Sequence, residues 1–230
     1  MIALTSFSPQ GYEVYGKKFL ESAAQYWPTD ILVYTEEDLP LPCSHLKVKE
    51  RDLMEVEGME SFLHYCDLNP IFSGQTPKGY DYNYDVKKFC RKSFAQLDVL
   101  KTAQDKVFWL DADIVFTRPV TQEFLSGLFD GKAICCLQRK GFYTETGFIG
   151  FDPDGDKFKE FVTDYENVYR RGKIFNLKRW HDCEAFDEAV KTSGVTVNNL
   201  SSFFDGDLHV FPKSALGPYM KHNKGNRKFQ

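Results

Sequence analysis

The sequence predicts an α/β fold with a mixed, mostly parallel central sheet flanked by helices. The first observation is a strand–helix–strand pattern near the start of the chain. Ile2–Thr5 and Ile31–Tyr34 are short apolar segments, and apolar residues of 12–27 recur on one helical face that ends at Pro28. Such a βαβ unit implies parallel strands and a right-handed crossover. The second observation is the apolar run Val107–Phe116, which is typical of a strand buried on both faces.

The remaining elements follow from the same periodicities. Residues 36–85 are irregular and rich in proline, and we expect a long loop with a function. Within it, the rings of Tyr80, Tyr82 and Tyr84 could stack on a sugar or a base, but their alternation favours a half-buried strand. The other predicted elements are helices at Val86–Leu100, Phe158–Tyr169 and 182–193, and strands at Ala133–Leu137, Phe148–Phe151 and Val195–Val197.

Length, charge and cysteine content limit the classes of protein to which this chain could belong. A chain of 230 residues without repeats or a linker is expected to form a single domain. The net charge of -4 argues against a nucleic-acid-binding surface over the whole protein, although it leaves room for a local basic site. The six cysteines contain no C-x-x-C spacing and several lie in apolar runs, so we expect reduced thiols and a cytoplasmic protein. No apolar run approaches ~18 residues, so we expect no membrane span, and the first residues do not resemble a signal peptide.

Two carboxylates interrupt the central apolar run. Asp111 and Asp113 directly follow Leu110, and burying them near a core is costly unless something compensates their charge. A divalent cation at the carboxyl end of the strand would do so, since open α/β sheets bind ligands there. The alternative is a pair of solvated carboxylates in a turn.

The C-terminal segment adds basic residues that suit a phosphate and a metal. His222 offers an imidazole ligand, Gly225 allows backbone N–H groups to approach a phosphate, and Lys228 supplies a positive charge. Two hard carboxylates and one imidazole suit Mn²⁺, with Mg²⁺ as the second choice. The alternative is a disordered, solvated basic tail.

These features together resemble a known group of enzymes. A strand that ends in Asp111-Ala112-Asp113, a preceding helix with lysines and a C-terminal His-x-x-Gly-x-x-Lys resemble the GT-A glycosyltransferases. The similarity is greatest to the glycogenin and bacterial galactosyltransferase-like family and to related capsule and viral sugar transferases. Identities concentrate in Lys87–Pro119 and in the C-terminal motif. The family often continues this motif with Pro-Trp, whereas this chain has Phe229 and Gln230.

The resemblance implies a Rossmann-like GT-A domain over residues 1–230, with a nucleotide-sugar-binding half (1–116) and an acceptor half (117–230). It implies a nucleotide-diphosphate sugar as the donor. A UDP-sugar is the preferred candidate and a GDP-sugar is the alternative. Asp111, Asp113 and His222 would hold the metal on the diphosphate. The positions implied for donor binding are Thr5, Ser6, Lys88, Lys92, Ala112, Glu145, Thr146, Gly147, Gly225 and Lys228. Each of the first four also has an ordinary structural explanation, in a strand-end turn or on a solvated helix face.

Two acidic residues are implied as catalytic groups. Asp182 and Glu184 lie at the start of a predicted helix, where Asp182 could also simply cap the helix. In an inverting enzyme one of them would be the base; in a retaining enzyme it would stabilise or briefly trap the oxocarbenium-like carbon. The C-terminal motif favours retention.

The leading prediction is therefore a metal-dependent transferase that moves a hexose from a nucleotide sugar to a hydroxyl group. The acceptor could be a glycan, a protein, a metabolite or a modified base. Two alternatives stay open: a nucleotidyltransferase that makes sugar nucleotides, although the usual Gly-rich loop is missing after the first strand, and a non-catalytic module that binds a nucleotide or a glycan.

Overall fold

A seven-stranded mixed sheet forms the centre of the computed structural model, which describes residues 1–37, 39, 48–201 and 209–224. The strands are β1 Ile2–Ser6, β2 Ile31–Thr35, β3 Val48–Asp52, β4 Gln75–Thr76, β5 Gly79–Tyr80, β6 Val107–Leu110, β7 Ile114–Phe116, β8 Ile134–Leu137, β9 Glu145–Phe151, β10 Val197–Asn199 and β11 Met220–His222. The α-helices are α1 Pro9–Gly11, α2 Lys17–Tyr26, α3 Met59–Asp67, α4 Val86–Leu100, α5 Gln122–Gly127, α6 Phe158–Arg170 and α7 Asp182–Ser193.

Parallel pairing dominates the sheet. Its order is β10-β8-β9-β6-β1-β2-β3, and β1 pairs in parallel with both β2 and β6. Strand β9 is antiparallel to its neighbours β6 and β8. The predicted α/β class and the initial βαβ unit are confirmed, except that a π-helical turn over Tyr12–Gly16 precedes α2 in the first helical segment.

The central strand β6 is buried on both faces, as its sequence predicts. Its four residues are at most 2% exposed. Val107 and Trp109 pack into a core with α3, α4, α6 and α7, whereas Phe108 and Leu110 pack into a core on the opposite face with α2. Alternate side chains of one strand thus enter two different cores, because neighbouring side chains of a strand point to opposite faces.

The apolar run breaks after Leu110, and this break positions the polar residues. Strand β7 leaves the central sheet and pairs antiparallel with β11, with Ile114 opposite His222. The backbone N–H of Asn223 donates to the Asp113 carbonyl oxygen over 3.0 Å. The C-terminal segment therefore begins with a strand at Lys221 and His222, where the sequence shows no periodicity.

The long segment between β2 and α4 is more regular than the sequence indicates. It contains β3, helix α3 and a two-stranded hairpin of β4 and β5. The prediction of a half-buried strand at the three tyrosines is wrong beyond Tyr80. Tyr80 ends the short strand β5, whereas Tyr82–Tyr84 form a 3₁₀ turn, and the side chains of Tyr80 and Tyr82 are exposed. Asp81 accepts a hydrogen bond from the backbone N–H of Asn83, and this local turn interaction outweighs the alternation.

Two smaller differences concern strand ends. Strand β9 begins at Glu145, before the predicted Phe148, and β10 lies at Val197–Asn199, two residues after the predicted position.

Among the described helices, none combines the length and apolar character required to cross a bilayer.

Candidate metal and donor site

Three potential metal ligands meet where β6 ends. Nε2 of His222 lies 2.8 Å from Oδ1 of Asp113 and 3.5 Å from Oδ2 of Asp111. One ligand atom from each residue lies within 4.8 Å of the other two. Asp113 and His222 are buried, and Asp111 is partly exposed. Strand β6, the turn after it and the β7–β11 pair thus bring together the three residues that the sequence predicts as metal ligands.

The second oxygen of Asp111 is held from the other side. Its Oδ1 accepts a hydrogen bond from Nε1 of Trp109 over 2.7 Å and one from Nζ of Lys92 over 2.8 Å. The backbone N–H of Asp111 donates to the carbonyl oxygen of Gly147 over 2.8 Å. Because Oδ1 is engaged in this way, Oδ2 is the oxygen that faces His222.

Lys92 links the metal ligands to the predicted catalytic helix. Besides Asp111, its ammonium contacts Oδ2 of Asp182 at 3.0 Å and donates to the carbonyl oxygen of Thr146 over 2.6 Å. The Thr146 hydroxyl also donates to Oδ2 of Asp182 over 2.6 Å. The Lys92 ammonium therefore bridges the carboxylates of Asp182 and Asp111. The helix is capped by the His181 side chain, which accepts from the backbone N–H of Glu184, so Asp182 is not the cap.

Burial and neighbouring charges oppose each other in this cluster. Burial alone would raise the pKa of Asp111, but the Lys92 ammonium and His222 lower that pKa well below its ordinary value. The pKa of Asp182 is lowered as well, because Lys92 outweighs burial and the Asp111 charge. Burial would lower the pKa of Lys92, but the two carboxylates raise it. Both carboxylates are therefore ionised and the lysine is protonated at neutral pH.

The imidazole of His222 is closely surrounded by Gly147 and Glu145. A Cβ atom added to Gly147 would lie 2.2 Å from Cε1 of the ring, so only glycine leaves room for the imidazole. Nδ1 lies 3.6 Å from Oε1 of the buried Glu145. Burial opposes protonation of His222, but Asp111 and Asp113 dominate and raise its pKa to about 9. At neutral pH the metal-free protein thus carries a proton where a metal ion would bind.

The donor set fits a hard or borderline divalent cation. Adjacent ligands of an octahedral Mg²⁺ are about 2.9 Å apart, since its metal–oxygen bonds are about 2.0–2.1 Å long. The separations of 2.8 and 3.5 Å from Nε2 to the two carboxylates bracket this value. Within the described residues, neither ring nitrogen of His222 forms a hydrogen bond of normal geometry. Two carboxylates and an imidazole of this kind suit Mn²⁺ or Mg²⁺.

A second cluster of potential ligands is engaged with other protein groups. His181, Asp182 and Cys183 each offer a ligand atom within 4.8 Å of the others. Nδ1 of His181 accepts from the backbone N–H of Glu184, and the Asp182 carboxylate is paired with Lys92 and Thr146. The first cluster is therefore the one that we consider as a metal site.

A cavity of about 390 Å³ opens beside the three ligands. Polar and aromatic side chains from the ends of β1 and β2 and from α4 line it. Its walls include Ser6, Phe7, Ser8, Tyr15, Glu36, Lys88, Arg91, Lys92, Trp109, Asp111, Ala112 and Asp113. A bidentate ion pair fixes one part of the wall: Nε of Arg91 lies 2.6 Å from Oε1 of Glu36, and a terminal guanidinium nitrogen lies 2.8 Å from Oε2.

The other predicted residues are placed as follows. Ser6 and Lys88 line the cavity, whereas Thr5 is completely buried within β1. Glu184 is paired with Arg179 at 2.8 Å. The predicted phosphate-binding residues at positions 225 and 228 lie outside the described residues.

Sequence reasoning missed two members of the cluster. Trp109 donates to Asp111, and Lys224 donates to Oε2 of Glu145 over 2.5 Å. The first could have been found, because residues two apart on a strand share a face and Trp109 stands two residues before Asp111. The second depends on the pairing of β11 with β7, for which the sequence carries no local signal.

Comparison with known proteins gives a fold but no sequence family. No protein-family model and no curated protein matches the chain. Solved structures that it resembles include apo mouse xyloside xylosyltransferase 1, with a TM-score of 0.54, 10% identity and coverage of 87% of this chain and 86% of that chain. The apo structure of the bifunctional glycosyltransferase WbbM gives a TM-score of 0.56 and 13% identity, with 98% of this chain covering 46% of that chain. This chain thus spans less than half of WbbM. The α/β architecture with its mixed central sheet is therefore a GT-A fold, as the sequence predicts.

Proposed function

We propose that this protein is a metal-dependent glycosyltransferase that moves a hexose from a UDP- or GDP-sugar to a hydroxyl acceptor. The observation that carries the proposal is the convergence of Asp111, Asp113 and His222 within 4.8 Å, beside a cavity at the carboxyl end of β6. In a GT-A fold this is the end of the sheet at which a nucleotide is expected to bind. The narrower resemblance to the glycogenin-like family is part of the same proposal.

Asp111, Asp113 and His222 would hold the metal ion, Mn²⁺ or Mg²⁺. When bound, this ion supplies neutralising positive charge for a diphosphate leaving group. Lys92 keeps Asp111 oriented through its 2.8 Å contact with Oδ1, and it adds a second positive charge at the same wall. The aromatic rings of Phe7 and Tyr15 give the cavity apolar walls that suit a nucleoside. Gly225 and Lys228 remain proposed contacts of the β-phosphate.

Asp182 is the proposed group nearest the reacting carbon. Its carboxylate is buried, held by Thr146 and Lys92, and ionised at neutral pH. A carboxylate of lowered pKa is a weak general base, but its fixed negative charge stabilises a developing oxocarbenium-like carbon. This supports retention of configuration with Asp182 in the stabilising role. Glu184 is the weaker candidate, because its side chain is more exposed than that of Asp182, and its partner is Arg179 and not the Lys92 that also contacts Asp111.

A donor screen tests the proposal. Purified protein would be incubated with Mn²⁺ and a panel of UDP- and GDP-sugars, with UDP-xylose included because one structural neighbour is a xylosyltransferase. We expect metal-dependent release of nucleoside diphosphate from at least one donor, and none from the Asp113→Ala or His222→Ala variant. Donor binding without turnover would indicate a binding module instead. Release of pyrophosphate from a nucleoside triphosphate and a sugar phosphate would indicate a nucleotidyltransferase.

A further inference from the structure

We infer that Glu145 is the positioning residue for the metal ligand His222, and that its carboxylate acts on the imidazole and does not contact the donor sugar. This inference rests on the proposed metal centre and assigns a role to a residue outside the set of ligands. Glu145 begins strand β9, and its side chain is only 5% exposed. A buried carboxylate needs compensating partners, and those partners show which way it acts.

The two oxygens of Glu145 have different partners. Oε2 accepts a hydrogen bond from Nζ of Lys224 over 2.5 Å, and a guanidinium nitrogen of Arg139 lies 3.8 Å away. Oε1 accepts from the backbone N–H of Gly147 over 3.2 Å and faces Nδ1 of His222 at 3.6 Å. The two cations thus lie on the side of Oε2, while Oε1 faces the edge of the imidazole opposite Asp113.

This arrangement is the one that a metal-binding histidine requires. Such a histidine coordinates through one nitrogen and donates the N–H of the other nitrogen to a carboxylate or carbonyl oxygen. Nε2 of His222 faces the two aspartates, which leaves Nδ1 as the donor toward Glu145. The carboxylate would thus favour the tautomer with the proton on Nδ1, and Nε2 would hold the cation.

The imidazole is confined on every side that the structure describes. Nδ1 lies 3.6 Å from Oε1 of Glu145, which is beyond hydrogen-bond distance, and Nε2 lies 2.8 Å from Oδ1 of Asp113 on the opposite edge. Phe211 packs edge-on against the imidazole, and Gly147 lies against Cε1. Glu145 is therefore one of the groups that set the position of the ring, and its loss leaves the Nδ1 edge unsupported.

The test is the affinity for Mn²⁺ alone, without any donor, measured from the electron paramagnetic resonance signal of the free ion. We expect Glu145→Ala to weaken Mn²⁺ binding about 10- to 100-fold, as is usual for loss of such a partner. Glu145→Gln keeps an acceptor oxygen without the charge and should lie between Glu145→Ala and the wild type. Glu166→Gln is the matched control, because Glu166 is also paired with a lysine, Lys101 at 2.8 Å, but lies on α6. It should leave Mn²⁺ affinity unchanged.

Two further measurements separate the possible failures. Thermal unfolding of each metal-free variant reports whether the fold is kept, and the affinities are compared only between variants with a cooperative transition. If His222→Ala weakens Mn²⁺ binding while both Glu145 variants stay within twofold of the wild type, the role of Glu145 is wrong and the metal centre stands. If His222→Ala itself leaves Mn²⁺ binding unchanged, the metal centre and the proposed function fail together.

Discussion

Nε2 of His222 lies 2.8 Å from Oδ1 of Asp113, although the two residues belong to distant parts of the chain. The antiparallel pairing of β11 with β7 produces this contact, because it sets His222 opposite Ile114, the residue after Asp113. The ligand set is therefore fixed by backbone hydrogen bonds and not only by side-chain attraction. A rigid backbone register of this kind preorganises a site before its ligand arrives.

Gly147→Ala should damage the site through the His222 ring. The added methyl group would lie 2.2 Å from Cε1 and 2.6 Å from Nδ1, so the imidazole must move. We expect at least about a 10-fold loss of Mn²⁺ affinity, with a stability loss of about 1–3 kcal/mol from overpacking. Isothermal titration and urea unfolding measure the two effects. Gly127→Ala is the control, since no atom lies within 4 Å of its added Cβ. Unchanged affinity in Gly147→Ala would show that the ring position does not matter.

Lys92→Met should destabilise the protein strongly. The ammonium is only 12% exposed and contacts both Asp111 and Asp182, so its removal leaves two inward-facing carboxylates without their cation. Breaking a buried pair in this way costs about 3–5 kcal/mol. In the comparison variant Lys101→Met, the lost ion pairs are more exposed, and the expected cost is about 0–1 kcal/mol. Urea unfolding of both variants gives the two values, and equal costs would contradict the role of Lys92 as the central cation.

Asp182→Asn should separate the two catalytic candidates. Asparagine keeps the shape and an acceptor for Thr146 but loses the negative charge. We expect kcat to fall about 10²- to 10³-fold, the usual effect of removing one preorganised electrostatic group. Glu184→Gln should change kcat by less than a factor of a few, because its carboxylate is more exposed and its partner Arg179 is not the lysine that contacts Asp111. The reverse order in steady-state kinetics would assign the role to Glu184.

His181 should make stability depend on pH. Burial lowers its pKa below the ordinary value of 6.5, despite the nearby Asp182 and Glu184. The folded protein therefore favours the neutral ring, so this contribution to stability is present above about pH 6.5 and is lost as the pH falls below it. The slope from one such group is at most about 1.4 kcal/mol per pH unit.

The comparison is urea unfolding between pH 5 and 7.5 for the wild type and His181→Asn. Asparagine keeps an acceptor for the helix cap but does not titrate. The variant should lose less stability than the wild type on acidification. Identical pH profiles would show that His181 does not contribute to the pH dependence of stability.

The sequence predicts the parts of this site that lie on strongly patterned elements. β6 follows from its continuous apolar residues, although the apolar run predicts a strand over Val107–Phe116 and the structure divides this run at Asp111 into β6 and β7. Helix α4 follows from its period, which also places Lys88 and Lys92 on one face. Helix α3 and the turn at Tyr82–Tyr84 were missed, since proline-rich spacing and tyrosine alternation gave no helical signal. The contacts of Glu145 with His222 and Lys224 depend on the long-range register of β11, which no local pattern encodes.

The central claim is that Asp111, Asp113 and His222 form a metal centre for a nucleotide-sugar donor. The most direct measurement is nucleoside diphosphate release from the donor panel, with and without Mn²⁺, for the wild type and Asp113→Ala. We predict release that requires Mn²⁺ in the wild type, stops on chelation and is absent in Asp113→Ala. Turnover by Asp113→Ala at the wild-type rate, or turnover that chelation leaves unchanged, would contradict it.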